Sequence, residues 1–389
     1  MMTLEEMYTS SVEARLRERS GDDTGSAHLS EELLSIHEKI VSTQESQRYL
    51  SFPDAHVYIG EYGKNGEIAS RYLCHNNGQV LGGIDPQDLA IVTGFGMTGS
   101  PSPGTLSMIF RAIEMQRDMG AWVSIIVSDF GTISSRQVKV TEVLRRAERF
   151  FTFIQEIGFD ATTGELRSHR SSEYLSMVEV ISSLLSVSDF RDYTEATDDL
   201  YTSLGLLTPD FAMMHYRVLM AADILLPLVT AGKRHTLVTT GLEEHYHPTF
   251  ARRVIRKIIA SERGFRDLLP EGADVSAFYT RTIHGAYPYP KMSRSIPGSG
   301  IFLDDDEDTI RRFFESTDPV TNVVILEIMD LATDWPLAKC MDAQAALMER
   351  DPRWNEYKEE LIDLFLRLRR LWLRCEPKRM FAVREVLGW

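Results

Sequence analysis

Cysteine is scarce in this chain of 389 residues, with only Cys74, Cys340 and Cys375 present. Three thiols, widely spaced and without a C-x-x-C pair, argue against a disulfide framework and carry no zinc signature, so reduced structural thiols are expected. Long apolar runs are missing too. No stretch approaches the roughly 18 consecutive apolar residues that cross a bilayer. The opening residues, with Glu5, Glu6 and Glu13, lack the basic-then-apolar pattern of a signal peptide, and a cytoplasmic location with no membrane partner is the expectation. Positive charge is also short: the formal net charge of −15 disfavours nonspecific adhesion to a polyanion and leaves nucleic-acid contact to local basic surfaces. No internal repeat is visible.

What is present is an ordinary enzyme-like composition, 43% hydrophobic and 25% charged, with room for two or three domains. Residues 1–28 are polar and rich in turn formers and read as a mobile lead-in. Ser30 before Glu31, Glu32 and the spaced Leu33, Leu34, Ile36 and Ile40 reads as a capped amphipathic helix. His56 to Ile59 and Ile68 to Leu73 flank Gly63-Lys64-Asn65-Gly66, a hairpin signal. Residues 29–88 therefore read as a small helix/hairpin appendage.

From Leu89 the pattern changes. Leu89 to Gly96 is an apolar run ending in glycines, a helix-compatible stretch follows through Met119, and Trp122 to Val127 is apolar again. Strand, Gly-rich turn, helix, strand is a βαβ unit, which predicts an α/β fold with a Rossmann-like parallel sheet and flanking helices. Such sheets bind ligands at the carboxyl ends of their strands, which places a ligand near Gly94 to Thr105. Helical periodicity runs over 137–158, 172–188 and Met213 to Leu228, and Thr236 to Thr239 reads as a strand entering Gly241. After the acidic run Asp304 to Asp308 everything looks helical, so residues 89–310 are expected to form the catalytic domain and 311–389 a C-terminal α-helical domain.

Pro288-Tyr289-Pro290-Lys291-Met292-Ser293-Arg294-Ser295, followed by Ile301-Phe302-Leu303-Asp304-Asp305, carries the strongest chemical signal. It resembles the K-M-S-K-S loop of class I aminoacyl-tRNA synthetases, and its continuation is similar to that of the tyrosyl/tryptophanyl branch. The resemblance implies adenylate formation, in which a cationic loop strengthens its contacts as charge builds on departing pyrophosphate. Lys291 and Arg294 are then the catalytic cations and Ser293 and Ser295 hydroxyl donors, with Met292 at the nucleotide. The bland alternative is a solvated basic loop.

Gly94-Phe95-Gly96-Met97-Thr98-Gly99-Ser100-Pro101-Ser102-Pro103-Gly104-Thr105-Leu106 aligns without a gap to the family's G-F-x-P-S-G-x-x-H-x-G-H-L. Both histidines are missing: Ser102 and Thr105 stand in their places, while Gly104 remains. Small polar groups at a helix start suit phosphate, so Gly94, Phe95, Gly96, Ser102, Gly104 and Thr105, with Gly241, are the expected ATP contacts, and Thr105 a catalytic one. Met97 and Pro103 depart from the pattern. Tyr216-Arg217-Val218-Leu219-Met220-Ala221-Ala222-Asp223-Ile224-Leu225 resembles Y-P-x-L-x-A-A-D-I-L, with Arg217 for proline. The family's Asp faces the amino-acid side chain, which implies Asp223 in the substrate pocket with Tyr216 and Met220; a helix-surface Asp is the alternative. Gly241-Leu242-Glu243-Glu244-His245-Tyr246-His247 resembles V-G-x-D-Q-x-x-H, which adds Glu243, Glu244 and His247. Glu244 brings an extra negative charge, and the two histidines with two glutamates offer no evident third metal ligand beyond their own cluster, so no metal site is expected. Asp129, after the second strand, is a pocket or structural residue.

The resemblance covers roughly 89–310 and implies activation of an amino acid, an aromatic one such as tryptophan favoured, with ATP and Mg²⁺, transfer to tRNA, and a homodimer. Two alternatives stay open: a ligase that hands the activated amino acid to a small molecule or peptide, and a non-catalytic paralogue. The basic residues Arg367, Arg369, Arg370, Arg374, Lys378 and Arg379 either touch phosphates or belong to a packed amphipathic helix.

Overall fold

The computed structural model describes residues 71–77, 83–135, 138–193, 210–241, 244–281, 283–286, 292 and 298–377. The lead-in, the helix after Ser30 and residues 56–70 of the expected 56–73 hairpin lie outside them, as do Lys291, Ser293, Arg294 and Ser295 of the basic loop and Glu243. The chain divides into two compact units.

The larger unit holds a six-stranded sheet. Its strands are β1 (Tyr72–Asn76), β2 (Leu89–Gly96), β3 (Trp122–Ser128), β4 (Gly164–Arg167), β5 (His235–Gly241) and β6 (Asp274–Thr280), in the spatial order β1-β6-β5-β2-β3-β4. All neighbours run parallel except β1, which pairs antiparallel to β6. Residues 72–76, read from the sequence as the end of an appendage, are thus an edge strand of this sheet. The central strands are apolar because both faces are covered: Leu89, Ala90, Ile91 and Val92 of β2 and Val123, Ile125, Ile126 and Val127 of β3 are all buried. Strand order reverses between β2 and β5, which makes the crevice at their carboxyl ends the expected ligand position.

Helices α2 (Asp129–Ser135), α3 (Val140–Glu156), α4 (Ser172–Leu184), α5 (Asp210–Thr230) and α6 (Tyr246–Ala260) flank the sheet. The α5 segment Phe211–Thr230, with mean hydropathy 1.4, is long and apolar enough to cross a membrane by length and composition. The sequence reading, which saw no such run, underrated it because Tyr216, Arg217 and Asp223 interrupt the apolar residues. Leu219, Ala222, Leu225, Leu226 and Leu228 of this helix are buried inside the unit, as expected of a core helix. It also continues through Pro227 rather than stopping before it.

The second unit comprises residues within 99–110 and 282–376. It contains the beginning of α1 (Pro103–Met119) together with α7 (Glu307–Phe314), α8 (Pro319–Leu331), α9 (Leu337–Glu349) and α10 (Arg353–Arg374). The expected boundary at 310/311 is therefore not a boundary between these units. Helix α10 buries Leu361, Ile362, Phe365 and Trp372 on one side, with the Phe365 ring 5.0 Å from that of Phe314. Arg369 donates to the Asp305 carbonyl at 2.6 Å and Arg370 to Leu366 at 3.1 Å, so these two arginines serve packing. Cys340 and Cys375 are buried and form no disulfide.

Gly164 opens β4 where a Cβ would lie 2.3 Å from the Val123 carbonyl oxygen, a backbone atom that cannot swing aside. Gly164→Ala is expected to cost about 1–3 kcal/mol as overpacking, read as a lower urea midpoint; an unchanged midpoint would show that β3 and β4 separate more easily than their pairing indicates.

Candidate active site

In the larger unit, two strand exits and one helix converge. Asp129 follows the last residue of β3, His169 lies two residues beyond β4, and Asp223 is on α5. Asp129 and His169 are completely buried and Asp223 nearly so. The Nε2 atom of His169 lies 3.1 Å from Asp223 Oδ2, and its Nδ1 accepts the Gly131 backbone N–H at 3.1 Å. The backbone N–H of His169 donates to Asp129 Oδ1 at 3.0 Å, as does that of Phe130 at 2.8 Å. Arg170 Nε pairs with Asp129 Oδ2 at 2.9 Å, and Arg170 also reaches Glu148 at 3.1 Å. The Tyr174 ring stacks on His169 at 4.7 Å, and its hydroxyl donates to the Leu219 carbonyl at 2.9 Å.

Burial raises the pKa of the Asp223 carboxyl, against the opposing pull of His169 and Arg167. Burial also favours neutral His169, whereas Asp223 and Asp129 push its pKa upward, with a net rise. The hydrogen bonding decides the protonation state: an imidazolium has a proton on both nitrogens, and Nδ1 is already occupied as an acceptor. The ring therefore carries one proton, on Nε2, directed at Asp223. Asp223 Oδ1 is buried and has no hydrogen-bond partner. An unsatisfied buried carboxylate oxygen costs free energy unless a bound group supplies the donor.

The other expected substrate residues fall around this pair or apart from it. Met220 is half-buried on α5, and its terminal methyl is 3.2 Å from where a Cβ on Gly131 would lie. Tyr216 meets His247 edge-on at 5.5 Å, and Tyr246 lies 4.1 Å from His247. Both nitrogens of His247 are buried without a partner, and its pKa is pushed down to about 3 by burial, then by Arg217 and His245. It is a neutral ring with one donor and one acceptor unfilled. Glu244 instead accepts a hydrogen bond from Thr240. At the end of β2, Gly94 packs against Ile126 so closely that a Cβ would sit at 3.1 Å, Phe95 packs on Phe150 with ring centroids 5.0 Å apart, and Gly96 is exposed. Gly241 ends β5, half-buried.

Three departures from the family pattern acquire local reasons. The Met97 N–H donates to Thr132 Oγ1 at 2.7 Å, a bond that a proline could not make. Arg217 lies 5.8 Å over the Tyr246 ring, in cation–π range. Pro103 occupies the first position of α1, where its missing N–H is no loss.

In the second unit, Ser102 caps α1. Its Oγ accepts the Thr105 N–H at 3.2 Å and lies 3.2 Å from Thr105 Oγ1, and its carbonyl accepts the Leu106 N–H at 2.9 Å. One helix-start N–H is thus already taken. A Cβ on Gly104 would meet only Ser102 Oγ at 3.7 Å, an ordinary contact. The signature is fastened to the segment after the basic loop: Leu303 N–H donates to Pro101 at 3.1 Å, and Ser100 hydrogen-bonds Asp304. Met292, the one described residue of the basic loop motif, is buried; a Cβ on Gly300 would lie 2.5 Å from its Cγ and Sδ.

The sequence profile of the tRNA synthetases class I (W and Y) family matches residues 84–363, well over half of the chain. The chain belongs to that family. The matched span runs from before β2 to the middle of α10 and takes in strands β2 to β6 but not the edge strand β1. Among curated relatives, the tryptophan–tRNA ligase 1 of Halobacterium salinarum is 27% identical over 167 residues, 43% of this chain and 30% of that protein. The tryptophan–tRNA ligase of Borreliella burgdorferi is 29% identical over 146 residues, 37% of each. The chain thus spans about a third of the length of the curated relatives it matches. In fold it is similar to the tryptophanyl-tRNA synthetase homolog of Entamoeba histolytica, with a TM-score of 0.65 at 9% identity, covering 90% of this chain and 94% of that one. The tryptophanyl-tRNA synthetase of Encephalitozoon cuniculi, solved bound to tryptophan, gives 0.62 at 15% identity, covering 90% and 98%.

His169, Arg170 and Tyr174 were not singled out from the sequence. The one available signal was a polar cluster, Arg167-Ser168-His169-Arg170, just after a short strand in a parallel sheet. Arg170→Met would leave Asp129 Oδ2 buried without its cation and is expected to cost about 3 kcal/mol of stability. A loss below about 0.5 kcal/mol in urea unfolding, the size of an exposed pair, would show that the cluster is solvated.

Proposed function

We propose that the chain activates an amino acid with ATP to an aminoacyl-adenylate, releasing pyrophosphate, and transfers the aminoacyl group to tRNA. The observation that carries this reading is the buried Asp223 carboxylate, held on one oxygen by His169 and open on the other, within a chain of the W and Y family. A carboxylate in that state suits a substrate whose side chain ends in an N–H or O–H donor, and tryptophan is the favoured one; phenylalanine would leave the oxygen unpaired.

The reaction is attack of the amino-acid carboxylate oxygen on the α-phosphorus of ATP: the new O–P bond forms as the bond to the bridging oxygen breaks, and pyrophosphate leaves with that electron pair. Gly94, Phe95, Gly96 and Gly241 border the nucleotide, and the chain leaves space over Gly104, so close approach of a base is a reason for glycine there. Ser102 and Thr105 offer hydroxyls at the start of α1. Lys291 and Arg294, with Ser293 and Ser295, meet the charge developing on pyrophosphate. His247 and Tyr216 complete the amino-acid side of the site, with Glu243 and Glu244 near the substrate ammonium. Mg²⁺ enters with the phosphates, whose charge it neutralises.

Amino-acid-dependent pyrophosphate exchange across the twenty amino acids tests the proposal, with exchange expected for tryptophan or a chemical neighbour; no exchange with any of them would sink it. Lys291→Ala is expected to slow exchange by about 100-fold or more while leaving amino-acid binding nearly unchanged. Equal effects on both would remove Lys291 from the leaving-group role. Charging of total tRNA by the same preparation tests the acceptor, and exchange without charging would assign a different one.

A further inference from the structure

We propose that His169 is a positioning residue for substrate selection: locked in a single tautomer by the Gly131 N–H, it fixes the rotamer and charge of Asp223 so that Oδ1 alone is presented to the substrate. The inference rests on the reading that Asp223 faces the amino acid. His169 is completely buried, and its backbone N–H and both ring nitrogens are committed. Its backbone N–H goes to Asp129, Nδ1 accepts from Gly131, Nε2 donates to Asp223 Oδ2, and its face is covered by Tyr174. The ring can neither rotate nor exchange its nitrogens without losing two hydrogen bonds at once.

The charged groups around the pair have ion-pair partners, although Asp129 Oδ2, Arg167 Nη1 and Ser128 Oγ are buried without an aligned hydrogen bond. Asp129 is balanced by Arg170, and Arg167 pairs with Glu165. Tyr174 spends its proton on Leu219, and its burial holds the phenol well above the usual tyrosine range. On α5, desolvation and the neighbouring His169 hold the exposed His215 below the usual histidine range, and Tyr216 lies against His247. The Asp223 carboxylate is left with one fixed donor, and the direction of its open oxygen is set by a residue that need not touch the substrate. An N–H or O–H placed along that direction is accepted, and a side chain without a donor leaves the charge unpaired. Asp223 thus owes its selectivity to a neighbour 54 positions away in sequence.

His169→Leu, which removes the donor, and His169→Gln, whose amide can accept from Gly131 and donate to Asp223, separate positioning from packing. In the leucine variant KM for the amino acid is expected to rise about 10- to 100-fold, with KM for ATP unchanged. Without its donor the Asp223 carboxyl holds its proton to higher pH, so the acid limb of kcat/KM for the amino acid moves upward. The glutamine variant is expected to regain most of the affinity and the original limb. A leucine variant matching the parent in KM and in pH profile overturns the proposal, as does a glutamine variant no better than leucine. Should the leucine variant fail to fold, the parent protein decides: selective nitrogen-15 labelling of histidine is expected to show His169 as the Nε2–H tautomer from pH 5 to 8, and an imidazolium in that window overturns the assignment. Absence of exchange in the parent sinks the activity reading; exchange in the parent with an unaffected leucine variant sinks only the positioning role.

Discussion

Two carboxylates, Asp129 and Asp223, are taken out of water at the carboxyl edge of a parallel sheet, and the arrangement around them follows from that cost. Removing a carboxylate from solvent is unfavourable by several kcal/mol unless charge and hydrogen bonds replace the lost hydration. Asp129 is compensated by two backbone N–H groups on Oδ1 and by the charge of Arg170 beside Oδ2. Asp223 is compensated on one oxygen only. The first is a foundation and the second an opening. His169 joins them because its backbone serves one carboxylate and its ring the other.

The same unevenness separates satisfied polar groups from unsatisfied ones elsewhere. Ser102 takes the Thr105 N–H of its own helix, Arg369 is spent on a carbonyl, and Glu244 binds Thr240. His247, by contrast, is neutral, buried and unfilled at both nitrogens. Local satisfaction also explains residues that look anomalous against the family pattern. Met97, Pro103 and Arg217 each answer a requirement of backbone or ring packing, so their departure from the pattern does not by itself weaken the case for catalysis.

The beginning of α1 belongs to the same compact unit as the C-terminal helices. Pro101 and Ser100 are tied to Leu303 and Asp304, and the adjoining Asp305 carbonyl to Arg369 of α10. Residues 99–106 of the glycine-rich segment and the helices that follow the basic loop thus belong to one compact unit. A linear division of the chain at residue 310 hides this, because the contacts join segments about two hundred residues apart.

The sequence by itself determined the α/β class, the strand runs Leu89 to Gly96 and Trp122 to Val127, the helical C-terminal region and the family. Strands covered on both faces must be apolar throughout, helices show their 3.6-residue period, and the basic loop motif is contiguous, so all of these are written in local order. It also marked Asp223 as a pocket residue through its resemblance, and left a helix-surface role open; burial removed that alternative. Only the tertiary structure decided that residues 72–76 join the sheet, that Asp223 is half-satisfied, and that His169 and Arg170 serve it and Asp129. Those facts depend on chain segments 40 to 54 residues apart meeting within hydrogen-bond distance. A histidine two residues past a short strand has no periodicity or motif to announce it; its tautomer is fixed by which N–H and which carboxylate the fold places against the two sides of its ring.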